Sequence, residues 1–287
     1  MRKQLEVAEL NTLERYVAIG DSFSEGMMDP YPNGTFRGWT DRLAGKLSAV
    51  REQHGLEPTL YANLAVRGKL LQQILDEQLD RALELRPTLI SIVGGGNDLL
   101  RPKSNPDQLA ELFERVIARA TAEGVRVLTS TSSNSAGSGL VSLTRGAGGI
   151  YNTHICSIAA RYGASVIDQW GLQALRTWPA WAADRIHLTP TGHEIVARAA
   201  MVALGLGEQL DYSQHEPVGD EVEIPLDVPN WQAVPKGWEQ VQPTRAEDIR
   251  WLKEDVGPWV MRRVQRRSSG DNVDPKRPQL VPAQPRI

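Results

Sequence analysis

The chain has 287 residues, 41% hydrophobic and 23% charged, the balance of an ordinary globular protein with material for a sizeable core. Its net charge of -3 supplies no general attraction to nucleic acid or to an anionic membrane surface. One cysteine, Cys156, excludes an internal disulfide and cysteine-based metal clusters. No stretch approaches the roughly 18 apolar residues of a spanning helix. The N-terminus has positive residues but no apolar run or cleavage site of a secretory signal, so a soluble, cytoplasmic protein is expected.

In chain order, five short β-prone runs are expected as strands, at 16–19, 59–62, 88–93, 125–129 and 164–167. Helical patterns separate them. The first covers Gly38–Gln53 and ends at His54-Gly55, the glycine serving as C-cap. The second carries Leu70, Leu71, Ile74, Leu75, Leu79 and Leu83 at helical spacing, and the third Leu109, Leu112, Phe113, Val116, Ile117 and Ala120. A fourth is expected at 150–161. A fifth spans 190–204, with Thr189 as N-cap and Pro190 in the first turn. Alternating strands and helices predict a three-layer, flavodoxin-like α/β fold around a five-stranded parallel sheet, with ligands beyond the carboxyl ends of the strands. After Gly207 the composition changes. Residues 208–287 are read as a C-terminal extension of a 1–207 domain. It has an irregular stretch at 211–243, a helix at 245–256 opened by the capping box Thr244-x-x-Glu247, and the basic run Arg262, Arg263, Arg266 and Arg267. Its Pro-rich, polar end is expected to be disordered.

Four motifs sit at the ends of these elements. Gly20-Asp21-Ser22 follows the first strand, where a serine hydroxyl can project beside a helix N-terminus that favours negative charge; taken alone, the tripeptide reads as a turn before it reads as a nucleophile. Asn63 to Gly68 follows the second strand, and Gly68 is either a donor of its backbone N–H to an anion or a loop glycine. Gly94-Gly95-Gly96-Asn97-Asp98 follows the third. Its glycines permit close backbone approach and Asn97 offers an amide donor; a phosphate loop is disfavoured because no Gly-Lys-Ser/Thr follows. Asp184-Arg185-Ile186-His187 precedes the last helix of the α/β region. An aspartate three residues before a histidine can accept the Nδ1 hydrogen and leave Nε2 to take a proton, although an isolated pair of this kind also occurs as a surface contact.

Taken together and in order, Ser22, Gly68, Asn97 and Asp184/His187 resemble the SGNH/GDSL hydrolase family over about residues 14–204. Phe23 stands where the family name has Leu. The resemblance implies a serine esterase or lipase with Ser22 as nucleophile, His187 as general base and Asp184 orienting it. It implies an oxyanion hole from Ser22, Gly68 and Asn97, a small-molecule ester substrate, and no metal or other cofactor. Acyl transfer from the same acyl-enzyme, or a non-catalytic binding module, are the alternatives.

Other residues compete for roles. Asp168, ending the fifth strand, is the rival to Asp184. His193 reads as structural, and His193-Glu194 lacks the second histidine of a zinc motif. His54 suits a helix end; His154 and His215 have no evident partner. Cys156 reads as a small buried hydrophobe. Trp170, Trp178 and Trp181 crowd the approach to His187, either lining a pocket or packing its loop. The Ser- and Gly-rich loop 132–149 is long enough to be functional, and Arg101 reads as an ordinary surface arginine.

Overall fold

The structure, a computed structural model, describes residues 5–134, 144–211, 234–258, 261, 265 and 267–285. Arg262, Arg263, Arg266, His215, the centre of the 132–149 loop and most of the irregular 211–243 stretch lie outside the described residues.

The strands are β1 (Arg15–Gly20), β2 (Leu60–Asn63), β3 (Leu89–Val93), β4 (Arg126–Ser130), β5 (Ser165–Ile167) and β6 (Arg277–Pro282). They form one sheet in the order β5-β4-β3-β1-β2-β6. β1 to β5 run parallel, as strands joined by helical crossovers must. Helices cover both faces, so the central strands are continuous apolar runs rather than alternating ones; Tyr16, Val17, Ala18 and Ile19 of β1 are all fully buried.

On one face Trp39, Leu43, Leu47 and Val50 of the helix Gly38–Gln53 pack with Val196, Ala200 and Met201 of the helix Pro190–Ala203. On the other, Leu71, Ile74 and Leu79 meet Phe113, Val116 and Ile117 of the helix Pro106–Ala122 and Tyr151, Ile155 and Ile158 of the helix Arg145–Tyr162. Thr189 caps its helix as expected, its hydroxyl accepting from the Gly192 N–H at 3.3 Å, with Pro190 in the first turn. The 71–84 stripe is a helix whose middle, Leu75–Leu79, widens into a π-turn. Among the described residues no helix is long and apolar enough to cross a membrane.

Among the described residues the sheet has six strands rather than five. Residues 277–282, expected to be disordered, form β6 antiparallel to β2, pairing Leu60 with Pro282 and Tyr61 with Val281. The two prolines and polar composition conceal a strand whose stability comes from tertiary contacts. Lys276 leads into it, largely buried, and its Nζ donates to the carbonyls of Phe36 (2.9 Å) and Arg37 (2.7 Å) and to Asp41 Oδ2 (2.5 Å). The Arg277 guanidinium lies 5.4 Å from the centre of the Tyr61 ring. Removing one partner of a buried ion pair leaves an uncompensated charge. Lys276→Ala is therefore expected to destabilise the whole domain by about 3–5 kcal/mol, read as a lower urea midpoint.

Candidate active site

Gly20 ends β1 in a crowded place. A Cβ there would lie 2.4 Å from the Val93 carbonyl oxygen and 2.8 Å from Ser24 Oγ, so only glycine lets the chain turn here beside β3. The backbone of Gly20 is also held from the helical layer: its N–H donates to Gln78 Oε1 (2.8 Å) and its carbonyl accepts from Gln78 Nε2 (2.9 Å). Gln78 sits in the π-turn, a distortion that often serves functional sites. Immediately beyond, Asp21 caps the short helix Ser22–Glu25, its Oδ1 accepting from the Phe23 N–H at 3.0 Å. Ser22 thus occupies the first helical position, above the carboxyl edge of the sheet.

Asn97 stands in the next loop, on the helix Gly96–Leu99. That helix starts from Gly95 with φ of 103°, where a Cβ would meet the Tyr151 ring at 2.8 Å. The Asn97 amide donates to the Lys69 carbonyl (3.1 Å) and to Asp21 Oδ2 (3.3 Å), tying the serine, Gly68 and Asn97 loops together. Gly68 has φ of 72°. Among the described residues the backbone N–H groups of Ser22 and Gly68 make no hydrogen bond.

His187 faces the same region. Its Nδ1 bonds Asp184 Oδ2 at 2.5 Å, while Asp184 Oδ1 accepts the backbone N–H groups of Ile186 and His187, each at 3.0 Å. Burial alone would raise the Asp184 carboxyl, but the bonds and charge of His187 together with these two N–H groups outweigh it and hold it below its ordinary value. Such a carboxylate fixes the imidazole with its Nδ1–H inward and Nε2 free. Ser22, Asn97 and His187 line one cavity of about 170 Å³; Gly68 does not line it. No direct hydrogen bond joins Ser22 Oγ to His187 Nε2 among the described residues; such contacts are commonly loose before substrate arrives.

The rivals fall elsewhere. Asp168 is exposed and accepts the Gly171 N–H at 3.1 Å. Cys156 is exposed, not buried as expected, because it lies on the solvent side of its helix. His154, which had no evident partner in the sequence, bonds Asp107 at 2.8 Å across two helices. His54 bonds the Val50 carbonyl at 2.9 Å, and Arg101 is exposed. Trp170 and Trp181 line the cavity with Gln169, Ser130 and Thr131, whereas Trp178 does not. Gln78 was missed in the sequence, although a glutamine one residue before Leu79 on an apolar stripe was a visible signal. Among the described residues no group of three His, Cys, Asp or Glu side chains could hold a metal ion.

Comparison with known proteins bears on the family and the fold. The model of the GDSL-like lipase/acylhydrolase family matches residues 18–195. A search of curated proteins returns no match. Among solved structures, LAE5, an alpha/beta hydrolase enzyme from the metagenome of Lake Arreo, Spain, is 20% identical with a TM-score of 0.56, covering 68% of this chain and 96% of its own. Axe2, an acetylxylan esterase from Geobacillus stearothermophilus, is 19% identical with a TM-score of 0.55, over 67% and 94%. TesA is 21% identical with a TM-score of 0.54, over 67% and 98%. At these identities the likeness is one of fold.

Two buried groups beside the site titrate in opposition. His193 Nδ1 accepts the Trp39 N–H (3.2 Å) and its Nε2 lies 3.0 Å from the Met27 carbonyl, so the imidazole is neutral with its hydrogen on Nε2. Burial, outweighing the nearby Asp29 charge, brings it down to about 4. Burial, aided by the charges of Asp98 and Glu25, pushes Asp21 up to about 6. The histidine favours folding above its unfolded value of about 6.5 and loses that contribution as pH falls toward 4. The aspartate favours folding in its protonated form and loses that contribution as pH rises from about 4 to 6. His193→Gln should therefore reduce the loss of stability on acidification, and Asp21→Asn should steepen it; urea midpoints at pH 4.5 and 7.5 test both.

Proposed function

Because the chain belongs to the GDSL-like lipase/acylhydrolase family, we propose that it is a serine esterase that hydrolyses carboxylic esters through an acyl-enzyme, with its catalytic unit in residues 1–207. The observation that carries this reading is the convergence of Ser22, Asn97 and an Asp184-held His187 on one cavity.

His187 Nε2 takes the proton from Ser22 Oγ as the oxygen attacks the ester carbonyl. The carbonyl π electrons move to oxygen, and the oxyanion is received by the Ser22 N–H and the Asn97 amide, with the Gly68 N–H, which lies outside the cavity lining, as the third donor that the family resemblance implies. Asn97 is oriented by the Lys69 carbonyl, and its 3.3 Å bond to Asp21 is long enough for an oxyanion to compete for that hydrogen. The tetrahedral species collapses, the alcohol leaves with the proton from His187, and an ester to Ser22 remains. Water, deprotonated by the same histidine, then releases the acid. Asp184 stabilises the imidazolium throughout without itself taking the proton.

The cavity bears on substrate size. At about 170 Å³ it compares with engineered cavities of roughly 150 Å³ that accept benzene. It has room for a short acyl chain or a ring-sized group. Trp170 and Trp181 line it together with the polar Ser130, Thr131 and Gln169. Axe2 is an esterase of acetylated xylan by name, and an acetyl ester suits this chamber.

Ser22→Ala is expected to abolish both ester turnover and labelling by a fluorophosphonate, with circular dichroism unchanged; labelling that persists would place the nucleophile elsewhere. Asn97→Ala should cost roughly 2.7–4 kcal/mol of barrier, mostly in kcat. Asp184→Asn should lower kcat by up to about 10⁴-fold, with Asp168→Asn close to wild type. Across nitrophenyl esters from acetyl to dodecanoyl, kcat/KM should be highest for the short acyl groups.

A further inference from the structure

The family match ends at residue 195, yet the segment beyond reaches the catalytic loops at two points. The first is the Asp184–His187 loop. Trp251 Nε1–H donates to the carbonyl oxygen of Asp184 at 2.9 Å. The next residue, Arg185, has φ of 59°, a left-handed conformation that a long side chain seldom adopts and that persists where surroundings enforce it. Its guanidinium lies between the rings of Trp178 and Trp251, 5.0 and 4.7 Å from their centres, and donates to Asp248 Oδ1 at 2.7 Å. The peptide between Asp184 and Arg185 is thereby held from the extension.

The second point is the loop carrying Gly68. Ser268 Oγ donates to the Gly68 carbonyl at 3.2 Å. Gly270 lies so close beneath that loop that a Cβ on it would stand 2.0 Å from the Arg67 carbonyl oxygen; a Cβ on Gly68 would stand 2.3 Å from Ser268 Oγ. The strap is anchored a few residues later by Lys276 and β6.

Core burial does not explain the first contact. The helix Arg245–Trp251 and the π-turn Leu252–Val256 bury none of their residues, and Ile249 and Leu252 are 55% and 53% exposed. What the helix brings to the molecule is polar and directional: one indole N–H and one carboxylate, both delivered to the loop that aims His187.

Building on the esterase reading, we propose that the C-terminal extension is a two-point clasp that sets the geometry of catalysis. Trp251 and Asp248 position the Asp184–His187 pair, and Ser268 and Gly270 position the Gly68 N–H. These are positioning residues, none of which touches substrate. A loop displaced by an ångström or less alters how His187 and the oxyanion donors meet the reacting atoms, so the chemical step suffers while binding in the cavity does not.

The test uses the full chain and four variants: Trp251→Phe, which keeps a ring over Arg185 and removes the N–H donor; Ser268→Ala; Gly270→Ala; and Ile249→Ala as a control on the exposed face. Fluorophosphonate labelling of wild type at Ser22 tests the esterase reading itself; a wild type that is not labelled rejects that reading before the clasp is in question. With labelling in hand, the end-point stoichiometry counts folded sites and the labelling rate reports their geometry. The three clasp variants should label to the same end point but slower by roughly ten- to a hundredfold, with kcat lowered in proportion and KM unchanged, and Ile249→Ala should match wild type. Hydrogen exchange gives a readout that needs no activity: amides at 184–187 should exchange faster in Trp251→Phe, and those at 66–69 faster in Ser268→Ala and Gly270→Ala. Should Gly270→Ala not fold, Ser268→Ala decides that point. Labelling rates within twofold of wild type, or a slower rate fully accounted for by fewer folded sites, would overturn the clasp at the loop concerned.

Discussion

The site rests on a steric constraint at one residue. Gly20 must pass the Val93 carbonyl at a distance that no side chain tolerates. That approach sets the turn after β1 beside the turn after β3, so Ser22 and Asn97 come from adjacent loops of a parallel sheet. The Gln78 amide then fixes both polar groups of the Gly20 backbone and leaves little freedom in where Asp21 and Ser22 begin. A strand-end glycine and one buried amide thus do what a longer loop would need many contacts to do, since fixing each added residue costs conformational entropy.

Two aspartates of the site illustrate how environment assigns roles to one side-chain type. Asp184 receives two backbone N–H groups and an imidazole and is kept ionised. Asp21, buried near Asp98 and Glu25, has its charged form disfavoured. The first suits a residue that must stabilise an adjacent cation. The second sits against the Asn97 amide and carries a stability cost when ionised, the kind of local expense that functional sites retain.

Much of this was legible in the sequence because it is local. β1 to β5 are short apolar runs bounded by turn residues, and the long helices announce themselves by spacing and caps; Thr189 and Pro190 mark the start of their helix by side-chain chemistry alone. The Asp184–His187 pair is legible for the same reason, being three residues apart. What was hidden depends on distant partners. β6 has the composition of a disordered tail and becomes a strand through β2, Asp41 and Tyr61. Trp251 and Ser268 meet the site across 67 and 200 positions of sequence, which no periodicity reveals. Cys156 falls in a well-formed helical pattern, but which side of that helix meets solvent is settled only by its packing.

β6 also changes what the sheet presents to other molecules. Without it the edge would be β2, whose unpaired backbone could recruit a strand from another chain. β6 takes that edge and ends the sheet. The Ala283 N–H points inward to the Thr59 carbonyl at 2.8 Å, so the neighbouring Pro282 turns outward a nitrogen with no hydrogen to offer, and Pro278 removes a second N–H from the strand. At the opposite edge β5 is three residues long. Among the described residues, proline removes donors from one edge strand and the other is short, two features that disfavour edge-to-edge pairing.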